Sequence, residues 1–361
     1  MKERIKDINR KSRKGVLLCL FLCALCLILT VFGEASSRAA QAAVSMCLSR
    51  LIPALFPYMV VSSMLVTTGA ADSISRRLPA AKLFGLPAEA SSAVILGFLC
   101  GFPLGAKTAA ELYRRGTVTK TQAEVLISVA NNTGPSFVVS VIGSVFWNSA
   151  VFGWLMYFAQ LVSAVIAGVF INRIIARPDK NEAKTAASAV REPLLSAFLF
   201  AVRDSVGACL NVCGFVTVFA VVISYISCLT DLASPVLTSG VAAVFELTEA
   251  SKLGALLAAS GNRLGGFFCG FALGFSGLSV FCQAGAFTFP LGLSLKRTFF
   301  VKLLQGLMCG AAGFLLCEKY MPCTGSLFLQ TFLQFSPTLY IASAALITAF
   351  SVKLLIKAYK M

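Results

Sequence analysis

The stretch Val129-Ala-Asn-Asn-Thr-Gly-Pro-Ser-Phe-Val-Val-Ser-Val-Ile-Gly143 decides how this chain is read. It lies in an apolar run from 122 to 146 that is long enough to enter a bilayer, yet it sets Asn131, Asn132, Thr133 and Ser136 around a Gly134-Pro135 pair. Proline lacks the backbone donor and clashes with the carbonyl four residues earlier, so a helix must break here. A break at membrane depth frees carbonyls and amides beside polar side chains, which is how discontinuous helices hold solutes and ions. The plainer reading is a proline kink satisfied by its own Ser and Thr hydroxyls.

The composition around this stretch is that of a membrane protein. Of 361 residues, 58% are hydrophobic and 13% charged, against about 25% charged in a soluble domain, and the mean hydropathy is +0.84. Apolar segments fall near 16–33, 43–69, 91–113, 122–146, 150–172, 194–229, 236–260, 264–287, 299–317 and 338–356. A span needs about 20 apolar residues, so the expected fold is an all-α, polytopic helical bundle in the cytoplasmic membrane. There is no histidine, which removes the commonest proton shuttle, general base and metal ligand. The 13 cysteines lie mostly within apolar runs (Cys19, Cys23, Cys26, Cys100, Cys209, Cys213, Cys269), where a thiol packs as a small hydrophobe. Cys317 and Cys323 stand at the edge of a loop, but without CxxC pairs they suggest neither a metal nor a redox motif. No enzyme, metal or cofactor is expected.

The net charge of +16 is not a nucleic-acid signature, because most of the Lys and Arg cluster in short loops: 1–15, 74–90, 114–121, 173–193, 288–303 and the tail from 351. The positive-inside rule then places both termini in the cytoplasm. Trp147, Trp154 and Tyr157 flank the external turn that this topology puts near 147–151. If 91–113 crossed the membrane, its two flanking basic loops would lie on opposite sides. It is therefore read as a re-entrant hairpin from the cytoplasm, and 236–260 as one from outside. Non-helical backbone at such depth is tolerable only where protein or a wet cavity receives it. The first apolar run, longer than the 7–15 residues of a cleaved signal, reads as a retained anchor.

Features recur along the chain, as in many transporters. A run beginning near Arg50 parallels one beginning near Arg203, the Lys107 hairpin parallels the Lys252 hairpin, and Gly134-Pro135-Ser136 parallels Gly277-Leu278-Ser279. The parity makes the repeats inverted. The expected divisions are a basic tail and anchor (1–39), repeat 1 (40–172), a cytoplasmic linker (173–193), repeat 2 (194–320), and a last span with a basic tail (321–361). GFLCGFPLG (97–105) and GFFCGFALG (266–274) agree closely in a different register, and are read as Gly/Phe-rich packing surfaces.

Candidate binding groups are Asn131, Asn132, Thr133 and Ser136 in the first broken segment and Ser276, Ser279 and Gln283 in the second, with helix breaks at Pro103, Gly134, Pro135 and Gly277. Glycines 265, 266, 270, 274 and 277 permit close helix contact. Gly274-Phe275-Ser276-Gly277 is similar to the GxSG of rhomboid intramembrane proteases, but no histidine is present to activate the serine. Lys107, Glu111, Glu246, Glu249 and Lys252 are charges at membrane depth. Such groups are costly and usually line a pathway, so they are candidates for gating or ion coupling. The plainer alternative is local pairing, Lys107 with Glu111 and Glu249 with Lys252. Arg50, Arg203 and Asp204 are expected to snorkel to the interfaces, and the N-terminal basic tail to meet anionic lipid.

The ordered set Gly97-Phe-Leu-Cys-Gly-Phe-Pro-Leu-Gly-Ala-Lys107, Asn131-Asn-Thr-Gly-Pro-Ser-Phe137, Phe245-Glu246 and Phe275-Ser-Gly-Leu-Ser-Val280 with Gln283 resembles the YlbJ-type sporulation integral membrane proteins. The resemblance covers roughly residues 40–320 and implies the "nucleoside recognition" or Gate domain also found in concentrative nucleoside transporters. It further implies a bacterial spore-former, a forespore or mother-cell membrane, and a role in spore cortex or envelope formation. The resulting expectation is a transporter-like protein that binds or moves a small polar, nucleoside-like solute coupled to Na+ or H+. Its partners would be the bilayer, the solute, and a second copy or other sporulation membrane proteins, with no nucleic acid. The alternative is a non-transporting scaffold of a spore-assembly complex.

Overall fold

A computed structural model describes residues 2–175, 193–230 and 234–320, and every regular element among them is helical. The chain opens with α1 (Lys2–Val31) and α2 (Gly33–Met46), which passes through a π-turn (Cys47–Leu51) into α3 (Ile52–Thr67). Short α4 (Ala70–Arg77) and two 3-10 turns lead to α5 (Ser91–Cys100), α6 (Leu104–Arg114) and α7 (Lys120–Ala130). A π-helix (Ser136–Phe146) and long α8 (Ala150–Ile175) close this half. The second half runs α9 (Leu194–Thr230), α10 (Pro235–Phe245), α11 (Leu247–Ala259), α12 (Leu264–Phe275), α13 (Gly277–Thr288) and α14 (Lys296–Cys317). Residues 176–192 of the expected linker 173–193 and the final span near 338–356 lie outside the described residues.

Among the described residues, five helical stretches are long and apolar enough to cross a membrane: Gly33–Thr67, Ala150–Ile174, Leu194–Ser227, Leu264–Leu291 and Lys296–Cys317. The outward sides of α8 and α9 show Phe158, Val162, Phe170, Leu199, Phe200 and Leu210 exposed, an apolar surface that only lipid or another protein would cover. In each half a long helix is followed by two helix-break-helix pairs and a closing long helix.

Local chemistry sets the boundaries. The Thr119 hydroxyl accepts from the Gln122 amide (3.3 Å) while the Gln122 side chain accepts from the Thr119 amide (2.9 Å), a capping box that starts α7. Ser234 caps α10 with Pro235 at its first position. Packing then depends on glycine. An ideal Cβ on Gly266 would lie 2.3 Å from the Gly313 carbonyl oxygen, on Gly270 2.2 Å from that of Cys309, and on Gly274 2.6 Å from that of Gln305. As one number rises the other falls, so α12 and α14 run antiparallel with backbones in contact. In the first half, Cβ atoms on Gly97 and Gly105 would lie 2.0 and 2.1 Å from the Ala130 carbonyl oxygen. Both Gly/Phe-rich strings are therefore packing surfaces, each against a different partner helix.

The aromatic turn near 147–151 differs from expectation. Trp147 is 1% exposed and stacks on Phe152 with centroids 4.1 Å apart, and Tyr157, also buried, donates to the Phe98 carbonyl at 2.7 Å. Gly143 and Gly153 let the π-helix and α8 touch through backbone, a Cβ on Gly143 lying 2.7 Å from the Gly153 Cα. That close return folds the turn's aromatics inward, and of the three residues only Trp154 is exposed.

Candidate functional site

The apolar run 122–146 does break at Asn131–Gly134, between α7 and the π-helix, and 91–113 breaks at Gly101–Pro103. These two breaks meet. Gly101 has φ of +83°, a conformation open to glycine and costly for other residues, and its ideal Cβ would lie 2.3 Å from the Gly134 nitrogen.

The second half repeats the arrangement with other residues. Between α10 and α11 only Glu246 is non-helical, with φ −149° and ψ 127°. Its carboxylate accepts from the Glu249 amide at 2.7 Å and caps α11. Between α12 and α13 the break falls on Ser276 (φ 75°) and Gly277 (φ 70°). An ideal Cβ on Gly277 would lie 3.0 Å from the Phe245 carbonyl oxygen and 3.2 Å from the Glu246 backbone. Here too, one break rests on the other.

Helix α14 joins the halves. Lys302 Nζ donates to Asn132 Oδ1 at 2.8 Å and to Gln305 Oε1 at 2.9 Å. Gln305 Nε2 donates to Asn132 Oδ1 (2.9 Å) and to the Gln160 carbonyl (3.2 Å), and Gln160 Nε2 donates to the Thr133 carbonyl (2.8 Å). Asn132 Nδ2 in turn donates to the Val129 carbonyl at the end of α7 (2.6 Å). The same stretch of α14 presses its Gln305 and Gly306 backbone against Gly274 and Phe275, immediately before Ser276. The four breaks thus form one continuous line: Gly101 on Gly134, Asn132 on Gln305, Gly306 on Phe275, Gly277 on Glu246.

Of the seven expected binding groups, Asn131, Asn132, Thr133, Ser276, Ser279 and Gln283 are buried and Ser136 is half-buried. Gln283 Nε2 donates to Ser279 Oγ at 3.3 Å. Asn131 Oδ1, Thr133 Oγ1, Gln160 Oε1, Ser276 Oγ and Gln283 Oε1 are buried and meet no hydrogen-bonding group of the protein. Unpartnered buried groups are rare, and each calls for an explanation.

Of the two local ion pairs considered above, one forms and one does not. Lys107 does not pair with Glu111. It forms an ion pair with Asp204 of α9, to which Ser63 also donates at 3.1 Å, so Asp204 does not snorkel. Glu111 is drawn instead to Arg114 and Arg115, each at 2.7 Å, because the end of α6 places both guanidinium groups within reach. Glu249 pairs with Lys252 at 3.7 Å as anticipated. Glu246, 2% exposed, stands at the helix break, whereas Lys107 and Leu247 to Ser251 lie inside helices rather than at hairpin tips.

Lys302, Gln305, Gln160 and Asp204 were not among the expected site residues. Lys302 falls within the basic cluster 288–303, yet it is 1% exposed and lies in the second turn of α14, and Arg297 is also buried. An amide three residues after a lysine inside a long apolar run, Lys302 and Gln305, is the signal that could have found them.

No protein-family model matches the chain, and no solved structure matches it. The chain is 26% identical over 308 residues to the sporulation integral membrane protein YlbJ of Bacillus subtilis (strain 168), covering 76% of this chain and 75% of that protein. The match supports a YlbJ-type assignment. Together with the five span candidates it makes the chain a multi-pass bacterial membrane protein. The Gate-domain part of the resemblance has no family match behind it.

Proposed function

We propose that this chain is a sporulation-associated membrane protein that binds or translocates a small polar, nucleoside-like solute at the line of four helix breaks. The observation that carries the reading is the set of unpartnered buried groups on Asn131, Thr133, Ser276 and Gln283. All four belong to the broken segments, where freed backbone and polar side chains would meet a solute. Asn132, Ser279 and Ser136 complete its surroundings. Glu246, a buried carboxylate in a protein that has no histidine, is the group through which Na+ or H+ would couple, with Glu249, Lys252, Lys107 and Glu111 gating access. In this reading the halves are inverted repeats whose two hairpins, 91–113 and 236–260, enter from opposite sides. The sporulation role rests on the name of the B. subtilis relative, and the nucleoside-like solute on the Gate-domain resemblance.

A neutralising series scored for spore heat resistance tests the proposal. Asn131→Ala, Ser276→Ala, Gln283→Ala and Glu246→Gln should abolish resistance while the protein accumulates in the membrane at its normal level, and substitutions in exposed loops should not. Loss of resistance from loop changes alone would mean a scaffold without transport.

A further inference from the structure

Lys302 is a lysine in the membrane-spanning part of the protein, 1% exposed, and it appears in none of the ion pairs among the described residues. Its two acceptors, Asn132 Oδ1 and Gln305 Oε1, are neutral. Lysine has three N–H donors, and an isolated ammonium away from water is very costly unless an opposite charge meets it. Two other lysines of the helical body, Lys107 and Lys252, pair with carboxylates, those of Asp204 and Glu249. The π-helix begins at Ser136, four residues beyond Asn132, and a helix N-terminus carries the positive end of its dipole.

Beside its acceptor Asn132 in the chain, and on Gln160, whose carbonyl accepts from Gln305, the unpartnered buried atoms are mostly acceptors. Asn131 Oδ1 and Thr133 Oγ1 flank Asn132 in the chain, and Gln160, whose Oε1 has no donor, is hydrogen-bonded to the Thr133 carbonyl. One ligand chemistry satisfies both features: an anionic group for Lys302, and hydroxyl or amino hydrogens for the amide oxygens.

We infer that the solute is a small organic anion bearing hydroxyl or amino groups, and that Lys302 is the residue that selects its charge. This deepens the proposed function, rests on that reading of the breaks, and gives the small polar solute a negative charge.

The test uses the full-length protein in lipid nanodiscs, with melting temperature followed at constant ionic strength against glycerol 3-phosphate and gluconate as anionic hydroxylated probes, and glycerol and uridine as neutral ones. Lys302→Gln keeps a donor near Asn132 and removes the charge. The anionic probes should raise the native melting temperature saturably, and Lys302→Gln should raise the half-saturating concentration at least tenfold. Without any probe, Lys302→Gln should melt at or above the native temperature, because the unmet charge is gone. A saturable rise with uridine that survives Lys302→Gln would overturn anion selection while leaving the solute-binding reading intact. If Lys302→Gln melts well below the native protein and no probe shifts either form, Lys302 is a structural cross-link, and the inference and the solute-binding reading both fail.

Discussion

Gly101 and Gly134 lie so close that an added Cβ on Gly101 would come within 2.3 Å of the Gly134 nitrogen. This contact fixes one helix break upon another, and Glu246 with Gly277 does the same in the second half. Backbone freed by a break within a bilayer must be met by protein or by a wet cavity. Placing breaks against each other keeps that cost within a single polar line, with α14 spanning its middle.

Gly101→Ala should therefore be far more damaging than an alanine at a glycine that only needs positive φ. Gly85 has φ of +73° and nothing within 4 Å of its ideal Cβ, so Gly85→Ala should cost about 1 kcal/mol. Gly101→Ala adds a backbone clash and should cost roughly 3 kcal/mol or more. Unfolding in mixed micelles measures both, and equal costs would show that the breaks do not touch.

The Lys107–Asp204 pair ties the first hairpin to α9. A double-mutant cycle with Lys107→Met and Asp204→Asn should give a coupling of about 1 kcal/mol, a modest value because both side chains keep partial solvent access. The same cycle between Lys107 and Glu111 should give less than about 0.5 kcal/mol. A larger coupling to Glu111 would restore the local pair.

Glu246 caps α11 through the Glu249 amide, so its stability role and its proposed coupling role separate by substitution. Glu246→Gln keeps an acceptor and should leave the melting temperature nearly unchanged while abolishing resistance. Glu246→Ala should also cost about 1 kcal/mol as the cap is lost. Full resistance in Glu246→Gln spores would remove the carboxylate from the mechanism.

Asn132→Asp would set a carboxylate where Lys302 now meets an amide oxygen. Neutralising the buried cation should raise the melting temperature and abolish function together, the usual cost when stability is gained at a working site. A melting temperature below the native value would indicate that Lys302 is already neutral.

What could be read from the sequence follows from what acts locally. Pro103, Gly134, Pro135 and Gly277 force or permit breaks through their own backbone chemistry, so three of the four breaks were legible, as was the glycine packing of 265–274, whereas the break at Glu246 has no such residue. What needed a distant partner was not. Asp204 beside Arg203 looks like an interfacial pair until Lys107, far away in the chain, is placed against it. Lys302 follows Lys296 and Arg297 and passed for a third loop cation, since its acceptor Asn132 is 170 residues away. Charge clustering assigns a residue to a loop only if the helix has not yet begun, and α14 begins at Lys296.

A binding or transport role requires that water and solute reach the line of breaks during the protein's cycle. Thr133→Cys and Ser276→Cys, introduced singly into a variant from which the 13 native cysteines have been removed and which still supports spore resistance, measure this with a membrane-impermeant thiol reagent applied from either side. The account predicts that both positions are modified, each from at least one side. Complete protection of both, from both sides and in every condition that preserves spore resistance, would contradict it.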